Sequence, residues 1–92
     1  MTIIAAYDVR ENDRRARLAA LLQAYGDRVQ KSVFVLDVDD TELQHVTTKG
    51  AEIIDTDVDS FWLTPCCATC WDGVIRVGQV ALPERVLFWA VL

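Results

Sequence analysis

The chain opens on Met1-Thr-Ile-Ile-Ala-Ala-Tyr7-Asp8-Val9, an apolar run broken by one carboxylate just before a cluster of arginines begins. Four to eight apolar residues bounded by polar signals suit a strand covered on both faces. Ile3, Ile4 and Tyr7 have the β-branched or aromatic shapes that fit a pleated surface. The run is therefore read as a buried central strand with Asp8 at its carboxyl end. A carboxylate at the edge of a buried strand is costly unless it meets a hydrogen-bond donor, a counter-charge or a metal. Two readings stay open for Asp8: the turn acid that ends the strand, or the centre of a functional site.

At 92 residues the chain is expected to form one domain, 1–92, near the size where a single core is marginal and association completes it. A hydrophobic fraction of 52% excludes a disordered tail. No apolar run approaches the ~18 residues of a membrane span, and the N-terminus lacks the basic flank and cleavage pattern of a signal peptide. The expectation is a cytoplasmic protein with no membrane partner. Three cysteines, an odd number, then argue for reduced thiols over a disulfide framework.

A net charge of −5 argues against nucleic-acid binding when taken as a whole, but its distribution is uneven. Residues 1–34 carry six basic side chains (Arg10, Arg14, Arg15, Arg17, Arg28, Lys31) against four acidic ones, a balance of +2. Residues 35–92 carry three basic against ten acidic, a balance of −7. One basic face can meet phosphates while an acidic face meets a protein, and ordinary solvated surface is the plainer alternative.

A first helix is expected over about residues 12–25, capped by Asn12 or Asp13 and closed by a left-handed Gly26. Leu18, Leu21, Leu22 and Tyr25 form its apolar stripe. Arg14, Arg15 and Arg17 fall in the first turns, against the preference of the helix dipole, so either phosphate or pairing with Glu11, Asp13 or Asp8 favours them. Residues 28–38 read as β-structure, one strand kinked at Gln30–Ser32 or two short ones. Asp39 and Glu42 make an aspartate capping box for a second helix with Leu43, Val46, Gly50, Ile53 and Ile54 inward; Gly50 marks close packing or a break. Strands follow at Ser60–Thr64 and Gly73–Gly78. The last nine residues, Glu84–Leu92, end in seven consecutive apolar ones and read as a strand in a subunit interface. Two helices on one face of a mostly antiparallel sheet make an α+β sandwich, and the βαβ opening suggests the ferredoxin-like class.

Cys66, Cys67 and Cys70 contain a C-x-x-C, in suitable company half of a zinc site or a redox pair; but a tetrahedral zinc needs four ligands and only His45 could join them, and Cys67 and Cys70 do not follow a first strand at a helix start as thioredoxin-type redox pairs do, so small buried hydrophobes is the reading preferred. His45 is expected on the helix surface. There is no Ser/His/Asp set, phosphate loop or dinucleotide fingerprint.

Tyr7-Asp8-Val9, Arg14-Arg15-x-Arg17-Leu18, Tyr25-Gly26-Asp27-Arg28-Val29-Gln30-x-Ser32-Val33-Phe34 and the proline-cysteine connection through Cys67-x-x-Cys70 give the chain its resemblance, over nearly its whole length. It resembles the small CRISPR-associated adaptation proteins of the Cas-two family. The chain departs from many members at Val35, where a glutamate often follows the phenylalanine.

The resemblance implies a ferredoxin-like homodimer whose C-terminal strand is exchanged or packed at the dimer interface. It also implies a metal site, Mg²⁺ or Mn²⁺, built from Asp8 of both subunits, with Asp8 as catalytic residue. Tyr7, Arg14, Arg15, Arg17, Arg28 and Phe34 become candidates for nucleic-acid contact. Two functions stay open. One is an adaptor of antiviral defence that bridges dimers of the CRISPR integrase subunit (Cas-one) and binds foreign DNA during spacer acquisition. The other is a metal-dependent endonuclease or endoribonuclease acting on DNA or single-stranded RNA. A ligand-sensing ferredoxin-like dimer is a third, more distant class.

Overall fold

The computed structural model describes residues 1–75, 77 and 78. Its elements run β1 (Thr2–Asp8), α1 (Asn12–Gln23), β2 (Gly26–Gln30), β3 (Val33–Asp37), α2 (Asp40–Ile53), β4 (Ser60–Pro65) and a short α3 (Ala68–Asp72). The sheet order is β2-β3-β1-β4 with every neighbouring pair antiparallel, the ferredoxin-like α+β arrangement. The opening apolar run is indeed the central strand: β1 pairs with β3 on one edge and β4 on the other.

Strand periodicity divides β1 between two environments. Ile3, Ala5 and Tyr7, with Val9 just beyond, enter the core with Leu18, Ala19 and Leu22 of α1, Val46 of α2, and Phe34 and Leu36 of β3. Ile4, Ala6 and Asp8 point to the opposite face. There Ile4 stands between Val35 and Thr64, Ala6 between Val33 and Trp62, and Asp8 beside Ser60. No helix of the α1/α2 layer covers this open face, and Trp62 is 53% exposed on it. Among the described residues only α3 reaches across, where buried Trp71 packs on Val35 together with Val29 and Cys66.

The stretch 28–38 resolves into two strands joined by a turn at Lys31–Ser32, with a register shift between Arg28 and Gln30 that leaves Val29 unpaired in the ladder. The capping box at α2 forms as expected: the Asp39 carboxylate accepts the Glu42 N–H at 2.7 Å, and the Glu42 carboxylate accepts the Asp39 N–H at 3.0 Å. Gly50 marks close packing, since a Cβ there would overlap the Phe61 ring.

Four expectations require correction. The cap of α1 is Glu11, whose side chain accepts the Asp13 N–H at 3.0 Å, one residue ahead of Asn12 because Asn12 is already helical. Gly26 is no left-handed stop; among the described residues only Gly78 has a positive φ. Gly26 instead opens β2 against β3 so tightly that a Cβ would overlap the Val35 carbonyl oxygen and lie 2.6 Å from Leu36 Cα. Residues 73–75, 77 and 78 form no strand, because the Gly73 and Val74 N–H groups turn back to the Thr69 and Trp71 carbonyls at the end of α3. Finally, Cys67 and Cys70 are exposed and Cys66 is half-buried, since Cys67 caps α3 rather than facing a core. The expected interface strand at 84–92, and Arg76, lie outside the described residues.

Gly26→Ala is expected to destabilise the fold by about 1–3 kcal/mol, because the obstructing atoms are backbone and cannot rotate away. At Gly73, where the nearest atom to a Cβ is 3.5 Å away, alanine should stay within about 0.5 kcal/mol of the parent. Urea titration of the two variants measures the contrast.

Candidate nucleic-acid interface

The carboxyl end of β1 is where the candidate residues gather, and three separate contacts place them. The Tyr7 backbone N–H donates to the Ser32 carbonyl at 3.1 Å, and the Tyr7 hydroxyl lies 3.5 Å from the Lys31 carbonyl oxygen, so the β2–β3 turn is fastened beside Asp8. Arg15 reaches back from α1 and donates through Nη1 to the carbonyls of Val9 (2.9 Å) and Arg10 (3.2 Å), which fixes the chain as it leaves β1. Arg28 lies with its guanidinium carbon 5.1 Å from the centre of the Phe34 ring, and Phe34 in turn stacks on Tyr7 at 6.4 Å between ring centres.

Two adjoining surface hollows result. Tyr7, Asp8, Val9, Arg15, Lys31 and Ser32 line one; Tyr7, Arg15, Arg28 and Lys31 line the other, with Asn12, Ala16 and Ala19. Tyr7, Arg15 and Lys31 wall both. The structure thus brings together Tyr7, Asp8, Arg15 and Arg28 of the expected set, and adds Lys31 and Asn12. Lys31 figured in the sequence only as part of the basic balance; its site signal is its place in the turn that Tyr7 holds.

The other candidates are placed differently. Phe34 has no exposed surface, so it acts from beneath as the seat of Arg28. Arg17 is exposed on α1 and lines neither hollow. Asp8 is exposed, not held at a buried strand edge, because the alternation of β1 turns it to the open sheet face, away from the α1/α2 layer. Arg14 is engaged in the fold: Nε and Nη2 donate to the Asp59 carboxylate at 2.7 and 3.3 Å, and Nη1 donates to Glu11 at 3.2 Å. Glu11 was among the partners expected for it; Asp59, from the acidic turn before β4, was not visible at a separation of 45 residues.

Asp59 is the centre of that knot. Its carboxylate also accepts the backbone N–H groups of Arg10 (3.0 Å) and Asp55 (2.9 Å). The Arg14 hydrogen bond holds the Asp59 carboxyl well below the usual carboxylate range, with the two backbone donors adding to it, and raises Arg14 in return. The knot ties the loop before β4 to the start of α1 and so stiffens the β1–α1 turn beside Asp8. Among the described residues no three His, Cys, Asp or Glu side chains cluster as metal ligands. Among the described residues that line the hollow, Asp8 is the one carboxylate available to a hard cation. No helix among the described residues is long and apolar enough to cross a membrane.

Residues 1–74 match the family described as CRISPR associated protein Cas2. The chain belongs to that family. A Cas2 relative from Thermus thermophilus, named a CRISPR-associated endonuclease, is 37% identical over 79 residues, covering 86% of this chain and 83% of the relative. One from Chloroflexus aurantiacus, named a CRISPR-associated endoribonuclease, is 31% identical, with 91% of each chain covered. Among solved structures, Streptococcus pyogenes Cas2 superposes with a TM-score of 0.79 at 29% identity, over 85% of this chain and all of the other. A hypothetical protein from Thermus thermophilus gives 0.79 at 33% identity, over 90% of this chain and 96% of that one. The fold assigned above is thus shared with Cas2 structures along most of its length.

A depressed Asp59 contributes stability that is complete above the unfolded carboxyl value of about 3.9 and is lost as pH falls below it. Asp59→Asn is expected to lower the melting temperature at neutral pH and to flatten its decline between about pH 4 and pH 2. Melting curves of parent and variant across that range test the ion pair directly.

Proposed function

We propose that this Cas2 chain is a single-domain adaptation subunit, a homodimer that bridges dimers of the CRISPR integrase and carries foreign DNA during spacer acquisition in the cytoplasm. The observation that supports this reading is the grouping of Arg15, Lys31 and Arg28 around Tyr7 in a chain whose net charge is −5. Cations held on a rigid frame neutralise successive phosphates without reading sequence, which is what a carrier of arbitrary DNA requires. Arg28 is held by the Phe34 ring and Arg15 by two carbonyls, so neither loses much side-chain freedom on binding. Arg14 supports the group from within, through its ion pair with Asp59. The acidic part of the chain, residues 35–92, is left for the protein partner.

The placement of Asp8 favours a second reading, a metal-dependent endonuclease or endoribonuclease. Asp8 shares the open sheet face with Ile4, Ala6 and the exposed Trp62, an apolar surface that a second copy would cover. A two-fold axis beside Asp8 would bring two carboxylates together from one residue per chain. Mg²⁺ or Mn²⁺ keeps several waters in its shell, so two carboxylates are a sufficient protein share. When bound, such an ion would polarise a phosphoryl oxygen and supply the attacking hydroxide. Lys31 and Arg15, lining the hollow that holds Asp8, would grip the phosphodiester, and Tyr7 would form its wall.

Binding to duplex DNA should weaken steeply with salt, and Arg28→Ala should flatten the log–log slope by about 0.9, the share of one phosphate contact; an unchanged slope would make Arg28 an ordinary surface cation. Asp8→Asn is expected to reduce cleavage by orders of magnitude while DNA-fragment capture and integrase association persist. Loss of fragment integration by a normally assembled Asp8→Asn complex would put the nuclease first and the adaptor second.

A further inference from the structure

Cys67 and Cys70 lie away from the basic face and have no part in the chemistry proposed above. Both thiols are exposed and free. They bracket the first turn of α3, where Cys67 has the extended backbone of a capping residue (φ −71°, ψ 162°) and its Sγ accepts the Cys70 backbone N–H at 3.3 Å. Residues three apart on a helical turn have Cβ atoms about 5–6 Å apart, and a disulfide needs about 3.8 Å. Cys67 is already turned towards Cys70, so closing the remainder asks for a change confined to one turn. A hydrogen bond between the two thiols draws Cys67 below its ordinary value and pushes Cys70 above, so one sulfur favours the charge while the other keeps the proton. Cys66 is different: it is half-buried against the Val35–Trp71 cluster, and burial pushes its thiol up.

We infer that the Cys67–Cys70 dithiol is a thiol–disulfide exchange site whose substrate is a low-molecular-weight disulfide such as oxidised glutathione. The Cys67 thiolate attacks one sulfur of that disulfide, forms a mixed disulfide and expels one thiolate. Cys70 then gives its proton to solvent and attacks Cys67 Sγ; the 67–70 bond forms, the mixed bond breaks and the second thiolate leaves. Two electrons pass from the protein dithiol to the small disulfide, and the protons released by the two cysteines end on its two thiols. The closed ring locks the first turn of α3, whose Trp71 is the cover that this helix lays on Val35 of the open sheet face.

The test equilibrates the full chain in glutathione buffers of graded ratio, quenches with acid, alkylates the free thiols and maps the peptides by mass. The expected product is a Cys67–Cys70 disulfide with Cys66 alkylated, and a Cys66→Ser variant should behave the same way. Cys70→Ser should stop at a glutathione adduct on Cys67. Its rate should rise with pH to half its maximum below the pH at which an ordinary thiol does so. A bond that uses Cys66, disulfides between molecules in place of the ring, no adduct on Cys67 in Cys70→Ser, or an ordinary-thiol pH profile would each overturn the assignment.

Discussion

The hydrogen bonding of β1 on both edges is the constraint from which the rest of the molecule follows. With β3 on one side and β4 on the other, the strand cannot rotate, so its alternation becomes a fixed division of labour. Ile3, Ala5 and Tyr7 close the core under α1 and α2, while Ile4, Ala6 and Asp8 are committed to the open face. A one-residue slip would bury Asp8 beneath the helices without a partner and expose Tyr7. The apolar weight of the odd positions makes that slip prohibitively unfavourable, and the position of the carboxylate is thereby a by-product of core packing.

The same end of β1 collects the basic side chains because each is tethered to it. Tyr7 holds the turn that carries Lys31, Arg15 clasps the carbonyls that follow the strand, and the Tyr7–Phe34 stack supports Arg28. Arg14, one residue from Arg15, serves the opposite purpose. Its ion pair with Asp59 ties the start of α1 to the chain entering β4, so two adjacent arginines divide between surface and scaffold. Helical geometry accounts for the division: neighbours on a helix are about 100° apart and face different surroundings.

Much of this was legible in the sequence. The apolar run of β1, the stripe of α1 through Leu18 and Leu22, the Asp39–Glu42 box and the close packing at Gly50 are local patterns, and the fold answers to them. The hairpin between β2 and β3 was ambiguous because its turn, Lys31–Ser32, carries no glycine, asparagine or proline. Asp59 as the partner of Arg14 was invisible, since a contact across 45 residues leaves no spacing to read. The exposure of Cys67 and Cys70 was also misread: composition treats cysteine as a small hydrophobe, whereas a capping position at the mouth of a short helix turns it outward. Membership in the Cas2 family was carried by the Tyr25–Phe34 motif, whose residues turn out to build the fold. Gly26 admits β3, Phe34 fills the core, and Arg28 lies on it.

The parity of β1 places Asp8 on the open face, and if a second copy covers that face as proposed, two chains make one metal site. Titration of the purified protein with Mn²⁺, followed by the loss of its free-ion electron paramagnetic resonance signal, tests this most directly. The account predicts one tightly held ion for every two chains, abolished by Asp8→Asn with the dimer intact. One ion per chain, or an unchanged titration of the Asp8→Asn protein, would contradict it.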